Sequence, residues 1–317
     1  MDRPLIYGNT PTFLHASSVA KDLSQAANYQ ATIYGVPWEG AVTWGAYTGC
    51  ELGPKVIRQC SERYSGYLPE LDGIDVLSHY SLADAGDVST TPADVAATME
   101  TIQSFASSLW TSGTFPVGLG GDHGITYPVV RALGETTGKK IGIIHIDAHF
   151  DNNDESMGDE FGRGSPFARL YEYEQVRNKS LVHLGIHGPR NKAVNGRSAK
   201  EAGAVTITID KIRNAPDLKT FAREVYETAS EGTDEVYLSI CSDILDYAYN
   251  PGGPADANGL HPEQLLTLIH EFGVHGLCGM DFVEVYPQQD QNDFSSHFVT
   301  LAVLYVLAGR LKQEGKA

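Results

Sequence analysis

Apolar positions along this chain follow two alternating rhythms. Short runs dominated by Ile, Val and Leu occupy residues 32–36, 115–119, 141–147, 181–186, 204–209, 235–241 and 276–285. Runs of that length and composition predict buried strands. Between them apolar residues recur every three or four positions, the period of a helix that buries one face. One such helix is predicted from Gly53-Pro54 to Tyr64, with Val56, Ile57, Cys60 and Tyr64 at helical spacing and Pro at the first turn. Another follows Thr91-Pro92, read as an N-cap with Pro at the first helical position, and aligns Val95, Met99, Ile102, Phe105 and Leu109. Further helices are predicted near 127–133, 218–229, 262–272 and 294–311, and the polar stretch at 84–87 reads as a connection.

Strand and helix alternating at this spacing mean crossover units. The expected fold is α/β, a three-layer α/β/α domain around a mainly parallel sheet. Residues 1–30 show no strong period and are read as an N-terminal extension over the surface or a neighbouring subunit, with a single domain over 31–317. No linker, low-complexity tract or internal repeat interrupts that domain.

Composition then removes whole classes of function. With 23 Lys and Arg against 40 Asp and Glu, the formal charge is −17. That balance argues against a nucleic-acid surface or an anchor to anionic membranes, and favours attraction of a cation. The longest apolar run, 298–308, is interrupted by Thr300 and is too short to span a bilayer. Cys50, Cys60, Cys241 and Cys278 lack metal-finger spacing, and no signal peptide is read before them. A reduced, cytoplasmic setting is therefore expected.

The polar clusters gather where predicted strands end: GGDHG at 120–124, DAHFD at 147–151, CSD at 241–243, and Glu284 after the last strand. In parallel sheets the loops at the carboxyl ends of strands build the site. Asp147, His149 and Asp151 are spaced two apart, so an extended backbone can turn all three to one side. Two carboxylates and an imidazole suit a divalent metal of intermediate hardness. Taken alone, D-x-H-x-D fits a polar strand end facing water equally well. Four clusters at four strand ends shift the balance toward a site.

Assembled, these residues resemble the ureohydrolase superfamily of arginases and agmatinases. The resemblance rests on GVPWEG, GAYTGCELGPKVIR, GGDHG, IHIDAHFD, LGIHGPRN and DFVEVYP, and runs from residue 35 to the final helix. It implies an arginase-like fold, trimers or hexamers, and two divalent ions, usually manganese and sometimes nickel. Their bridging hydroxide attacks the carbon of a small guanidino cation to release urea or an amine. Carried over by position, His123, Asp147 and Asp151 would hold one ion. His149 and Asp243 would hold the other, with Asp147 shared. Asp151 and Glu284 would be catalytic, Glu284 fixing the guanidinium by charge-assisted hydrogen bonds. Asp122 and Asn153 would face the substrate or support the residues that do.

Two positions depart from that pattern. Cys241 stands where the superfamily places a carboxylate that bridges both ions. It is either a thiolate ligand, favouring nickel, zinc or cobalt, or a small buried thiol without metal. Arg163, in GRGSPF, replaces a histidine that shuttles protons, which a permanently charged Arg cannot do. Near the centre it would weaken metal binding unless Glu155, Asp159, Glu160 or a ligand compensated; otherwise it is a surface Arg in a displaced loop. Two functions follow. The chain is a metal-dependent hydrolase of guanidine-, biguanide- or agmatine-like cations. Alternatively it is a weakly active or inactive subunit with one ion or none, supporting a homologous catalytic chain. Metformin hydrolase and related guanidine- and biguanide-cleaving members pair an intact subunit with such a divergent partner.

Other residues carry weaker signals. His145 reads as a buried, hydrogen-bonded core histidine, and His187 as a loop residue near the site. Trp38, Trp44 and Tyr47 could line a pocket for a cation or simply pack a loop. Tyr286 takes a place usually held by a small polar residue, and 151–160 is either a substrate-facing lid or a solvated loop.

Overall fold

A computed structural model describes residues 10–40, 48–91, 93–156, 158–254 and 256–316. Its strands are β1 (Ser17–Ser18), β2 (Ala31–Val36), β3 (Tyr67–Leu68), β4 (Ile74–Asp75), β5 (Leu82–Asp87), β6 (Phe115–Gly120), β7 (Ile141–Ile146), β8 (Val176–Ile186), β9 (Val205–Thr208), β10 (Glu235–Cys241) and β11 (Gly279–Val283). Nine form one sheet in the order β1-β5-β2-β6-β11-β10-β7-β8-β9, parallel at every pairing. β3 and β4 make a separate antiparallel pair. The helices are α1 (Gly53–Ser61), α2 (Val76–His79), α3 (Val95–Ser112), α4 (Thr126–Thr137), α5 (Pro166–Tyr171), α6 (Ala193–Ala202), α7 (Ile209–Arg213), α8 (Leu218–Ser230), α9 (Pro262–His275) and α10 (Phe294–Gln313).

Two apolar cores explain the three layers. Successive side chains of a strand point to opposite faces. Ile144 and Ile146 of β7 and Leu238 and Ile240 of β10 therefore join one core, with α8, α9 and α10. Ile141 and Ile143 of β7, Tyr237 and Cys241 of β10, join the other, with α3, α4 and α5. The second face holds His145, Ser239 and Asp281, all fully buried. Polar residues on one face of a buried sheet need partners there, and the site below supplies them. α10 is long and apolar enough to cross a membrane by length and composition, yet most of it is buried within the fold.

The structure corrects several boundaries. Residues 84–87, read as a connection, belong to β5. Their polarity is internal: the buried Arg58 of α1 pairs with Asp84 at 2.8 Å and Asp87 at 2.6 Å. α3 begins at Val95 under Asp94, whose carboxylate accepts the Ala97 N–H at 3.0 Å. Thr91 therefore does not cap this helix, and Pro92 lies outside the described residues. Part of the segment read as an extension enters the fold: Phe13 and Leu14 are buried, and β1 adds to the sheet edge against β5. β8 starts five residues earlier than its apolar run, since the residues after Val176 are polar: Arg177 and Asn178 are half-buried and Lys179 is exposed.

Candidate metal centre

Four neighbouring strands at the middle of the sheet, β6, β11, β10 and β7, carry the polar clusters on their carboxyl ends. At the tip of β6 the chain must pass close under the loop after β2. A Cβ on Gly121 would sit 1.8 Å from the Trp38 carbonyl oxygen, so only glycine fits. Asp122 and His123 follow, both fully buried.

Asp147, fully buried at the tip of β7, lies between two imidazoles. Its Oδ2 is 3.1 Å from His123 Nδ1, and its Oδ1 is 3.5 Å from His149 Nδ1. His123 Nδ1 is also 2.9 Å from Asp151 Oδ2, and His149 Nδ1 is 2.9 Å from Asp243 Oδ2. The five residues thus form two triads that share Asp147. The structure brings together every one of the intact ligand positions named from sequence. Cys241 Sγ joins them, within 4.8 Å of the ligand atoms of His123 and Asp147.

The hydrogen-bond network around His123 fixes its tautomer. Ser239 Oγ donates to Asp281 Oδ1 at 2.6 Å, so toward His123 Nε2, 3.0 Å away, it can only accept. Nε2 therefore carries a proton. Burial opposes a second one, but Asp147 and Asp151 hold the imidazole well above its usual range, so that without a metal ion Nδ1 is protonated as well. That buried Nδ1 makes no well-angled hydrogen bond among the described residues, although two carboxylate oxygens lie close. A ring nitrogen that gives up this proton to face two carboxylate oxygens belongs to the donor set of a metal ion, whose charge would replace the proton's. Asp281 is itself anchored by Thr126 Oγ1 and Tyr237 OH, each donating at 2.9 Å. On the other side Asp256 Oδ2 lies 3.0 Å from His149 Nε2 and is paired with Arg190 at 2.7 Å.

A second chain of bonds supports Asp147 from beneath. His145 Nε2 lies 3.0 Å from Asp147 Oδ2, and its Nδ1 is 2.7 Å from His183 Nδ1. His183 Nε2 in turn meets Tyr171 OH at 2.6 Å. Burial pushes His145 down to about 4 and His183 well below the usual imidazole range, so both rings stay neutral. His145 is thus a buried, hydrogen-bonded histidine.

The charges in this centre are unbalanced. Burial, then the charge of Asp147, pushes Asp151 up to about 7 and raises Asp243 as well. Burial and the same neighbour push the Cys241 thiol well up. Without a cation Cys241 is therefore a neutral thiol, and Asp151 and Asp243 compete for charge beside Asp147, which despite its burial is held well below the usual carboxylate range by His123, His145 and His149. A divalent ion would relieve that competition. Asp151 and Glu284 also sit at φ of 43° and 64°, a left-handed backbone that non-glycine residues adopt only under constraint.

Glu284 leaves the tip of β11 with its Oε1 accepting the His123 N–H at 2.8 Å. Its Oε2 is bonded by the Tyr286 hydroxyl and lies 3.1 Å from Arg163 Nη1, which also bonds that hydroxyl. Arg163 Nη2 lies 3.0 Å from Glu39 Oε1 and 3.8 Å from Asp122 Oδ2. Only 4% of Arg163 is exposed, which overturns its reading as a surface residue in a displaced loop. Among the described residues its ion pairs run to Glu39, Asp122 and Glu284, and not to Glu155, Asp159 or Glu160. Burial opposes the charge on Arg163, but Glu284 and Asp122 more than offset it. Burial pushes Asp122 up to about 6, with Arg163 pulling the other way.

Asn153 accepts from Asn195 at 3.0 Å and lines a cavity of about 230 Å³ with His149, Asp151, Arg163, Arg190 and Lys192. His187 turns its Nδ1 to the Gly185 carbonyl, 2.7 Å away. Trp38 is buried; Trp44 and Tyr47 lie outside the described residues. In 151–160, Asp154 and Glu160 pair with Arg169. Sequence reasoning missed Glu39, Asp256 and Asp281. Asp281 stood in the DFVEVYP run and Glu39 in GVPWEG, but nothing in the sequence sets Asp256 apart from any other loop carboxylate.

The profile of the Arginase family matches residues 29–309. Guanidinopropionase of Pseudomonas aeruginosa is 29% identical over 289 residues, covering 90% of this chain and 86% of that protein. Proclavaminate amidino hydrolase from Streptomyces clavuligerus superposes with a TM-score of 0.85 at 26% identity, covering 97% of this chain and 99% of the other. Trypanosoma cruzi formiminoglutamase, solved with Mn2+, shares the fold at a TM-score of 0.82 and 20% identity, covering 95% and 99%. Matched in sequence from residue 29 to 309 and in fold over nearly its whole length, this chain belongs to the arginase family.

Proposed function

We propose that this chain binds divalent metal at the Asp147 cluster and hydrolyses a C–N bond of a small guanidino cation, releasing urea or an amine. The observation that carries this reading is the position of His123 Nδ1, buried and 2.9 Å from Asp151 Oδ2 and 3.1 Å from Asp147 Oδ2. His123, Asp147 and Asp151 would hold one ion, and His149, Asp147 and Asp243 a second. Bound there, divalent ions would make water acidic enough to act as a nucleophile near neutral pH. Manganese is supported by the Mn2+ in a relative of the same fold. A ligating Cys241 would favour nickel, cobalt or zinc.

The chain's own groups do the rest. Asp151 lies at the cavity wall, where its Oδ2 can accept the proton that water gives up. Glu284 orients a guanidinium through charge-assisted hydrogen bonds. Asp122 and Asn153 shape the approach from the cavity. The test is elemental analysis of the purified protein, joined to urea release from guanidine, agmatine, a guanidino acid and a biguanide. Two ions per chain with turnover by the lone chain are expected. Trace metal only, after loading with Mn2+ or Ni2+, would overturn the reading.

Arg163 on Glu284, together with Cys241, favours a second reading. Here the chain holds one ion or none and supports a homologous catalytic subunit in a trimer or hexamer. Co-purification with a homologue bearing Asp and His at these two positions, and no turnover by this chain alone, would select it.

A further inference from the structure

We infer that Arg163 is a built-in occupant of the cation seat, a specificity-determining residue that excludes a free guanidinium from Glu284. This rests on the reading above, in which Glu284 receives the substrate's guanidinium. The seat is made by three carboxylates brought from separate strand ends: Glu39 after β2, Asp122 after β6 and Glu284 after β11. Such a cage recognises a planar cation that can offer hydrogens along two edges. Arg163 offers them. Nη1 faces Glu284 and the Tyr286 hydroxyl, while Nη2 faces Glu39 and Asp122.

The occupant is held in place by its backbone. Arg163 sits in a tight turn in which Ser165 N donates to Gly162 O at 2.9 Å, and Asn153 N donates to Gly164 O at 2.8 Å. The side chain is therefore presented to the cage by a loop tied to the strand tip that carries the metal-type cluster. A tethered group competes at an effective concentration in the millimolar range or above, with no rotational freedom left to lose. A free guanidinium would have to displace it, or share Glu284 Oε2 with a second cation a few ångströms away. Both are unfavourable. Only a larger guanidino cation, held also along the adjoining cavity wall of His149, Asn153, Arg190 and Lys192, can displace Arg163 and reach Glu284.

The test is binding of guanidinium itself, read without turnover. Isothermal calorimetry and thermal melting are run on the protein as purified, with guanidinium chloride kept in the low millimolar, non-denaturing range. Wild type is expected to give no saturable binding. Arg163→Ala should bind one guanidinium per chain, at least about tenfold tighter than wild type, with a rise in melting temperature. Urea and methylammonium at equal concentration should give neither effect. Arg163→Lys, which keeps the charge at the seat, should stay closed. If Arg163→Ala does not fold, Arg163→Gln preserves most of the bulk and takes the same titration. Failure of the folded variant to gain guanidinium binding, or binding by wild type as tight as by the variant, overturns the inference. An inactive, metal-poor chain that binds guanidinium only once Arg163 is removed defeats the hydrolase reading and leaves this one standing. Urea release from free guanidine by the wild-type chain does the reverse.

Discussion

Asp147 lies between the two candidate ligand imidazoles, His123 and His149, and its neighbours decide whether they can act as ligands. For His123 the deciding neighbour is Ser239. By accepting the Nε2 proton it leaves Nδ1 to face Asp147 and Asp151. Ser239→Ala removes the acceptor without touching a candidate ligand. It should lower divalent-metal affinity by roughly 10–100-fold, the usual effect of losing an outer partner, measured by competition with a chelating dye. Unchanged affinity would mean that His123 is oriented by packing alone. Cys241 and Arg163 act on charge. One supplies a neutral thiol where a carboxylate would offset two cations, and the other brings a permanent positive charge. The double change Cys241→Asp, Arg163→His should raise metal occupancy in elemental analysis. Flat occupancy would refute this account of the two residues. Cobalt substitution adds a direct readout, since a ligating Cys241 gives a near-ultraviolet thiolate-to-metal band that Cys241→Ser abolishes.

At the scale of elements, the site depends on how loops and helices are clamped to the strand tips. α1 is tied to β5 by the buried pairs of Arg58 with Asp84 and Asp87, and Asp84 also accepts the Phe13 N–H at 2.8 Å. Removing one partner leaves buried carboxylates without a counter-charge. Arg58→Met should therefore cost about 3–5 kcal/mol in stability, read by equilibrium denaturation. A change below about 1 kcal/mol would show that water reaches Asp84 when the arginine is gone. β5 itself illustrates what a hydropathy pattern misses. Its tip is polar because it pays for an internal ion pair, so its sequence resembles a loop. The strands β7 and β10 were legible because both faces are apolar over most of their length and they end in the cluster. Thr91 and Asp94 are both good N-cap residues, so residue type alone does not choose the cap of α3. Their choice depends on where the helix packs, with Thr98 Oγ1 bonding back to the Thr91 carbonyl at 3.1 Å.

For the whole molecule, the sheet order is what makes a centre out of distant segments. Residues 122–123, 147–151, 241–243 and 284 are far apart along the chain, yet their four strands are consecutive neighbours in the sheet. The formal charge of −17 acts on that same scale, through the summed field rather than any one contact. Binding of a guanidino cation should weaken as ionic strength rises, since the attraction is screened beyond about 8 Å in physiological salt. Measured association rates that do not respond to salt would place recognition wholly within the cavity.

From the sequence alone one could read the alternation of strands and helices, the parallel sheet, and the set of imidazoles and carboxylates at strand ends. Those features are local or periodic, so composition and spacing are enough to carry them. Only the tertiary structure decided which groups face one another. It set the protonated nitrogen of His123, the sharing of Asp147 between two triads, and the capture of Arg163 by Glu39, Asp122 and Glu284. Each of these depends on contacts between residues tens to hundreds of positions apart, whose energies come from burial and geometry that no window of sequence contains.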